Sequence, residues 1–265
     1  MPRRVTAELD LDLGASVDLI FQIAAARGVP VVDENLTFAQ GERRYTATEL
    51  VDQAGSRLHR LTAEEGPLSV RYDALVAGPA QSPRTSDLDT IGYLRPSRYC
   101  QSDEVFAQAR RQFRGLAGRD LLAAVSGFVA STVTYTPGLS FGTDSAVTTL
   151  ATGQGVCRDY AHLVIALLRA MDMPARYAAC FAPGLEPMDF HAVVEAFVEG
   201  RWEVVDATRL APRAHFVRIA TGRDAADTAF LTTLSGIAAL ASVEVTAVAL
   251  GDLVVDDPED TVLLR

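Results

Sequence analysis

A hairpin near residue 200 constrains the fold of this chain most. Two apolar segments, 192–198 and 201–205, flank the dipeptide Glu199-Gly200, and a two-residue loop that contains glycine is typical of a tight β-hairpin. Such a loop pairs Val193 with Asp206. Because side chains alternate along a strand, His191 and Asp206 then share one face of the sheet as diagonal neighbours. A four-residue loop keeps this arrangement, whereas a three-residue loop breaks it.

A strongly amphipathic helix is predicted shortly before the hairpin. Cys157 follows the segment Gly153-Gln154-Gly155, and apolar residues then recur at helical spacing until Pro174 ends the pattern. The helix is expected to begin at Cys157.

A thiol at this position has a chemical consequence. The first turn of a helix offers the positive end of the helix dipole and unpaired backbone N–H groups, which favour a thiolate and can stabilise an oxyanion. A lone cysteine there is more often a small buried residue, and His191 or Asp206 alone could be a strand-end residue with a local hydrogen bond. Together the three residues form the set of nucleophile, base and orienting carboxylate that a catalytic triad requires.

The chain as a whole is predicted to be α+β, with a β-rich domain over residues 1–80 and a second domain, which contains the helix and the hairpin, over 94–265. Residues 80–93, rich in Pro, Ser and Asp, are predicted to form a loop-like bridge between the two. Helices are predicted within 103–135. Asp33-Glu34-Asn35 suggests a turn. Further strands are expected at 5–13, 69–76, 176–181, 242–250 and 261–264.

Charge and cysteine content limit the classes of partner and cofactor. A formal net charge of −10 argues against nucleic acid or an anionic membrane as the main partner, and we read neither a targeting signal nor a membrane span. An odd number of cysteines, three, suits reduced thiols in the cytoplasm. Cys100 and Cys180 lack histidines at metal-ligand spacing, so no metal and no cofactor is expected. The oligomeric state stays open.

Three segments resemble the bacterial transglutaminase-like family. Residues 153–162, Gly-Gln-Gly-Val-Cys-Arg-Asp-Tyr-Ala-His, are similar to its nucleophile segment. Residues 190–195, Phe-His-Ala-Val-Val-Glu, are similar to its histidine strand, and residues 202–208, Trp-Glu-Val-Val-Asp-Ala-Thr, to its aspartate strand. The resemblance is strong over about 120–210. It extends more weakly to the β-rich start and to residues 221–224, Thr-Gly-Arg-Asp. Ala207 stands where the family often has proline, which changes the stiffness of the turn more than the chemistry.

The resemblance implies a papain-like core with a Cys157–His191–Asp206 triad. The expected reaction is thiol-dependent acyl chemistry on a peptide or amide substrate through a thioester. Water as acceptor would make the protein a peptidase or amidase, and an amine would make it a transglutaminase or ligase; hydrolysis is slightly favoured. A binding or scaffold protein without turnover is the alternative from another class. No second oxyanion donor can be placed; Tyr135 is one candidate, although a buried core tyrosine is the preferred interpretation of that residue.

Overall fold

The computed structural model describes residues 1–80, 85–258 and 260–264. The first part of the chain, residues 1–80, contains strands joined by turns and loops: β1 (Pro2–Leu13), β2 (Val17–Phe21), β3 (Val31–Gln40), β4 (Arg43–Tyr45), β5 (Thr48–Val51), β6 (Arg57–Ala63) and β7 (Gly66–Ala77). The middle part carries the α-helices of the described residues: α1 (Asp87–Gly92), α2 (Phe106–Gln112), α3 (Gly118–Thr132), α4 (Ala146–Thr152) and α5 (Cys157–Ala170).

Further strands lie between these helices and after them. They are β8 (Thr134–Tyr135), β9 (Gln154–Gly155), β10 (Ala175–Phe181), β11 (Phe190–Val198), β12 (Arg201–Val205), β13 (Val217–Gly222), β14 (Leu231–Ser235) and β15 (Ala238–Ala249), with a 3₁₀ turn at Arg213–His215. The mixture of helices and antiparallel sheets is the expected α+β class. Among the described residues, no helix is both long and apolar enough to cross a membrane.

Two antiparallel sheets form a sandwich around one apolar core. Their strand orders are β15-β1-β7-β3-β4 and β14-β2-β6-β5. The alternation of exposed and buried residues along β1 explains the packing, because Val5, Leu9 and Leu11 all turn inward. The same core includes Phe181 and Ile219 of strands β10 and β13. The sandwich is therefore packed directly against the remaining part of the chain.

A four-stranded antiparallel sheet and helix α5 form the second unit, which we call the helical core. The strand order is β12-β11-β10-β13. Every residue of α5 from Asp159 to Ala170 is buried, because the helix packs on β10 and β11 and against α3 and α4. The first residue of this central helix, Cys157, remains partly exposed. Burial of the rest of α5 fixes where that thiol lies.

Several sequence-based expectations are wrong in detail. Asp33-Glu34-Asn35 lies within β3 rather than in a turn, because Glu34 is held by Arg57 and Tyr72. The expected bridge over 80–93 contains helix α1, which is capped by Ser86 and Asp89; residues 81–84 lie outside the described residues.

The C-terminal part departs most from the expected division into domains. Strand β15 pairs along β1, and β14 pairs with β2, so residues 231–249 belong to the sandwich and not to the unit that begins at 94. The chain thus leaves the sandwich and returns to it. Segment 261–264 is not a strand, although the Val262 carbonyl accepts a hydrogen bond from the Val204 N–H.

Candidate active site

Cys157 stands at a helix start that a buried carboxylate fixes. Asp159, in the first turn of α5, accepts hydrogen bonds from the Val156 N–H (2.8 Å) and from the Ser140 hydroxyl (2.6 Å). A Cβ at Gly155 would lie 2.6 Å from the Asp159 Cβ, so only glycine fits beside this carboxylate. The helix begins at Cys157 as predicted. Glycine and aspartate together hold the thiol in one place.

The hairpin has the register that the sequence predicts. Val198 pairs with Arg201, and Val194 pairs with Val205, which confirms the two-residue loop. Glu199 and Gly200 both have positive φ, 51° and 82°, as a type I′ turn requires. The loop is therefore even, and His191 and Asp206 extend from the same face.

His191 and Asp206 form a buried hydrogen-bonded pair. The His191 Nε2 lies 2.8 Å from the Asp206 Oδ2, and the side chains of both residues are at most 2% exposed. The other carboxylate oxygen, Oδ1, accepts bonds from the Thr208 N–H (2.9 Å) and hydroxyl (2.6 Å). The second ring nitrogen of His191, Nδ1, is buried without a hydrogen-bond partner in the described part of the chain. One ring edge is thus anchored and the other is free to act.

The electrostatics of this pair favour a charged imidazole. Burial alone lowers the pKa of His191, but the charge of Asp206, the hydrogen bond to it and the neighbouring Cys157 outweigh burial and raise the pKa to about 10. Burial likewise opposes ionisation of Asp206, yet His191 and Thr208 lower the pKa of its carboxyl. The arrangement therefore stabilises an imidazolium next to Cys157, as a thiolate–imidazolium pair requires.

A cleft of about 330 Å³ opens onto Cys157 and His191. Its walls come from both units of the molecule. The helical core supplies Tyr177, Ala179, Asp189, Phe190, Ile219, Ala225, Thr228, Ala229 and Phe230 among others, and the sandwich supplies Gln22 and Leu231. The wall is largely apolar, with a few polar groups, which is the usual composition of a small-molecule or peptide site.

Tyr135 is placed differently from the preferred expectation of a buried core residue. It is 37% exposed, and it pairs with Gly155, two residues before Cys157, where β8 runs parallel to β9. Burial and the charge of Cys157 raise the pKa of Tyr135 to about 12, while the backbone N–H of Cys157 acts in the opposite direction. The phenol therefore lies beside the candidate nucleophile in its neutral, hydrogen-bond-donating form.

The remaining histidine and thiols near the site are structural. His162 is fully buried, its Nε2 accepts the Ala225 N–H at 3.2 Å, and burial lowers its pKa to about 3. Burial raises the pKa of Cys100 to about 12 and that of Cys180 well above its usual value. Within the described residues, no three His, Cys, Asp or Glu side chains are grouped as metal ligands.

Three residues of the site escape the sequence-based prediction. Asp159 had a usable signal, since an acidic residue in the first turn of a helix is a common capping feature. Gln22 and Thr228 had none, because they lie far from Cys157 in the sequence. The packing of the sandwich on β10 and β13 brings Gln22 to the cleft, and Thr228 reaches it on the loop that follows β13.

Comparisons with known proteins agree with the fold and the motifs. The family model for the transglutaminase-like superfamily matches residues 110–207. The crystal structure of a candidate cysteine protease from Cytophaga hutchinsonii has a TM-score of 0.90 and 32% sequence identity, over 99% of this chain and 96% of that one. This similarity extends through the sandwich as well as the helical core.

Two further relatives are more distant. The Mycobacterium leprae (strain TN) protein ML0607, uncharacterised, is 27% identical over 148 residues, which is 51% of this chain and 52% of that protein. The chain thus spans about half the length of this curated relative. The periplasmic domain of TgpA from Pseudomonas aeruginosa has a TM-score of 0.42 and 19% identity, over 76% of this chain and 87% of that one, and is too dissimilar to inform the site.

Proposed function

We propose, for a chain that belongs to the transglutaminase-like superfamily, that Cys157, His191 and Asp206 form a catalytic triad for acyl transfer from a peptide or amide. One observation carries the proposal. Cys157 at the start of α5 shares a cleft with His191, whose Nε2 is held by Asp206 at 2.8 Å and whose Nδ1 is left without a partner.

The first half of the proposed reaction forms a thioester. The Cys157 thiolate attacks the substrate carbonyl carbon, and backbone N–H groups at the start of α5 stabilise the resulting oxyanion. The Tyr135 hydroxyl lies beside the Cys157 N–H and is our candidate for the second donor. When the carbon–nitrogen bond breaks, the His191 imidazolium donates its proton to the leaving amine. Asp206 fixes the ring orientation and stabilises its charge.

The second half of the reaction resolves the thioester. The neutral His191 accepts a proton from water as the water attacks the thioester carbon. Collapse of this intermediate releases the acid and restores the thiolate–imidazolium pair. We favour water over an amine as acceptor because Cys157 is partly exposed. Transfer to an amine, as in a transglutaminase or amide ligase, uses the same triad and is the second candidate; a scaffold without turnover is the third.

A substrate screen distinguishes these candidates. Fluorogenic peptide amides are incubated with and without a primary amine, and the products are identified by mass spectrometry. We expect turnover that is lost in Cys157→Ala and kept in Cys100→Ala, which removes a buried thiol elsewhere. A free acid product indicates hydrolysis, and an adduct with the added amine indicates transfer. Turnover that persists in Cys157→Ala would contradict the proposed nucleophile.

A cytoplasmic location is part of the same proposal. Its support is that Cys100, Cys157 and Cys180 are all free thiols in the folded chain, which fits a reducing compartment. Cell fractionation with compartment markers would test it, and recovery outside the cytoplasm would contradict it.

A further inference from the structure

The cleft receives a polar side chain from the sandwich. Gln22 directly follows β2, and its backbone N–H donates to the Phe230 carbonyl at 3.0 Å. Gln22 lines the cleft next to Cys157 and His191 and is only 5% exposed. Its Oε1 is buried and has no hydrogen-bond partner among the described residues. An unpaired buried carbonyl oxygen is costly, so its presence in a cleft suggests a ligand that satisfies it.

A second unpaired polar group lines the same cleft. Thr228 is 5% exposed, and its Oγ1 is buried without a partner in the described chain. The loop that carries it is firmly anchored, since Asp224 accepts the N–H groups of Tyr99 (2.9 Å) and Ala226 (3.0 Å). A Cβ at Gly222 would lie 2.4 Å from the Asp227 Cβ, so the loop leaves β13 along one tight path. The hydroxyl is thus held at the cleft by rigid structure.

The surroundings of these groups are aromatic and carry little free charge. Phe230 stacks on Phe190 with ring centroids 5.3 Å apart, and both rings line the cleft with Ile219. The guanidinium of Arg158 is already bonded to Asp159, Ser140 and the Phe141 carbonyl. Apart from the proposed catalytic pair of Cys157 and His191, the other charged group in the lining is Asp189, an acid. The cleft therefore suits a neutral ligand with an apolar side chain and its own hydrogen-bonding groups.

We propose that Gln22 and Thr228 form a substrate subsite for the main chain of a peptide acyl donor, with an apolar side chain of that peptide lying on Phe230. Gln22 Oε1 accepts a peptide N–H, and the Thr228 hydroxyl donates to a peptide carbonyl. A peptide unit offers both groups and carries apolar side chains, which matches the chemistry of the cleft. The sandwich thereby acts as part of the substrate site. This inference rests on the proposed function, because the subsite serves the acyl donor that Cys157 attacks.

Labelling of Cys157 in the whole chain tests the subsite. The probe is acetyl-Ala-Phe-chloromethyl ketone, compared with analogues N-methylated at either amide, and iodoacetamide reports thiol reactivity without using the subsite. Relative to iodoacetamide, we expect Gln22→Met and Thr228→Val each to lower the labelling rate about 3- to 10-fold, the size expected for one hydrogen bond. The matched controls are Gln112→Met on α2 and Thr233→Val on β14, both exposed.

A double-mutant comparison decides whether the contact is direct. In the wild-type protein, N-methylation of one amide should lower labelling to a similar extent, and the same methylation should have no further effect in Gln22→Met. Equal rates for all three peptides on the wild type would overturn the proposal without requiring any variant to fold. Equal losses for the parent and methylated peptides in Gln22→Met would also overturn it.

If Cys157 is not the nucleophile, the labelling experiment gives a different result from the one expected if only the subsite is wrong. Iodoacetamide would then not label Cys157 preferentially. In that case the subsite is tested on Cys157→Ala by equilibrium binding of acetyl-Ala-Phe-amide and its N-methyl analogues. Weaker binding of one methylated analogue, with no such difference in the Cys157→Ala/Gln22→Met double variant, supports the subsite; identical binding overturns it.

Discussion

Two buried carboxylates of the same hairpin have different partners. Glu195 on β11 accepts hydrogen bonds from the guanidinium groups of Arg176 (2.8 Å) and Arg218 (2.6 and 2.7 Å). Asp206, just after β12, faces His191 at 2.8 Å. Burial opposes ionisation at both positions, yet the neighbouring cations keep the pKa of each carboxyl below its usual value, at about 2 for Glu195.

The partners explain what each carboxylate can do. A guanidinium does not lose its proton in a protein. Glu195 and its two arginine partners therefore form a permanently charged structural cluster. An imidazole can lose and regain its proton, and Cys157 lies in the same cleft as His191 and contributes to the raised pKa of the ring. A carboxylate therefore stabilises the sheet at Glu195, whereas in the proposed triad the carboxylate of Asp206 orients His191.

Replacing Asp206 should give the largest effect on activity. In Asp206→Asn the ring of His191 loses the carboxylate that orients it and stabilises its charge. We expect turnover to fall by about 10³- to 10⁴-fold, as in other triads that lose this group. Steady-state kinetics on a peptide amide, with circular dichroism to verify the fold, make the measurement. A folded variant with turnover within a few-fold of wild type would contradict the role of Asp206.

Replacing Glu195 should reverse this pattern. Glu195→Gln leaves two buried guanidinium groups without their counter-charge, so the free energy of unfolding should fall by about 3–5 kcal/mol. The glutamate contributes stability that is present above its unfolded pKa and is lost as the pH falls toward 2. Urea unfolding measures the loss of stability. Turnover, divided by the amount of Cys157 that can be alkylated in the folded protein, should change far less than in Asp206→Asn. If Glu195→Gln lowered turnover as strongly as Asp206→Asn and left the free energy of unfolding nearly unchanged, the contrast between the two carboxylates would be wrong.

The pH dependence sharpens the comparison further. Because the pKa of His191 is raised to about 10, its proton is available below that pH and is lost as the pH rises through it. The alkaline limb of the acylation rate should lie near pH 10 in the wild type. Without the Asp206 charge, burial should shift this limb to lower pH by about one unit or more in Asp206→Asn. An unmoved limb would mean that Asp206 does not control the imidazole.

Removal of metal ions should have the smallest effect. The described residues contain no grouped ligands near Cys157, so treatment with a strong chelator followed by dialysis should leave the turnover rate unchanged. Loss of activity that calcium or zinc restores would reveal a metal requirement that the proposed triad does not include.

The parts of the site that depend on local geometry could be predicted from the sequence. The loop Glu199-Gly200 fixes the register of β11 and β12, and alternation then places His191 and Asp206 on one face. The helix start at Cys157 followed from two glycines and an apolar repeat. These features depend on residues close together in the chain, where backbone sterics and side-chain periodicity decide the structure.

Features that depend on long-range packing could not be predicted in this way. The pairing of β15 with β1 joins residues more than 200 positions apart, and nothing in either segment specifies the partner. Gln22 reaches the cleft only through the packing of the sandwich on β10 and β13. Tyr135 was misjudged because a tyrosine has the same local pattern whether it is buried in a core or placed beside a thiol.

The alkylation rates of the three thiols across pH test the central claim most directly. Iodoacetamide modification, followed by peptide mass spectrometry, gives a rate for Cys100, Cys157 and Cys180 in one experiment. Cys157 is partly exposed beside the His191 imidazolium, whereas burial raises the pKa of both other thiols. We predict that Cys157 reacts first at pH 6 and that His191→Ala slows its reaction at that pH. Faster modification of Cys100 or Cys180 at pH 6 would contradict the assignment of Cys157 as the nucleophile.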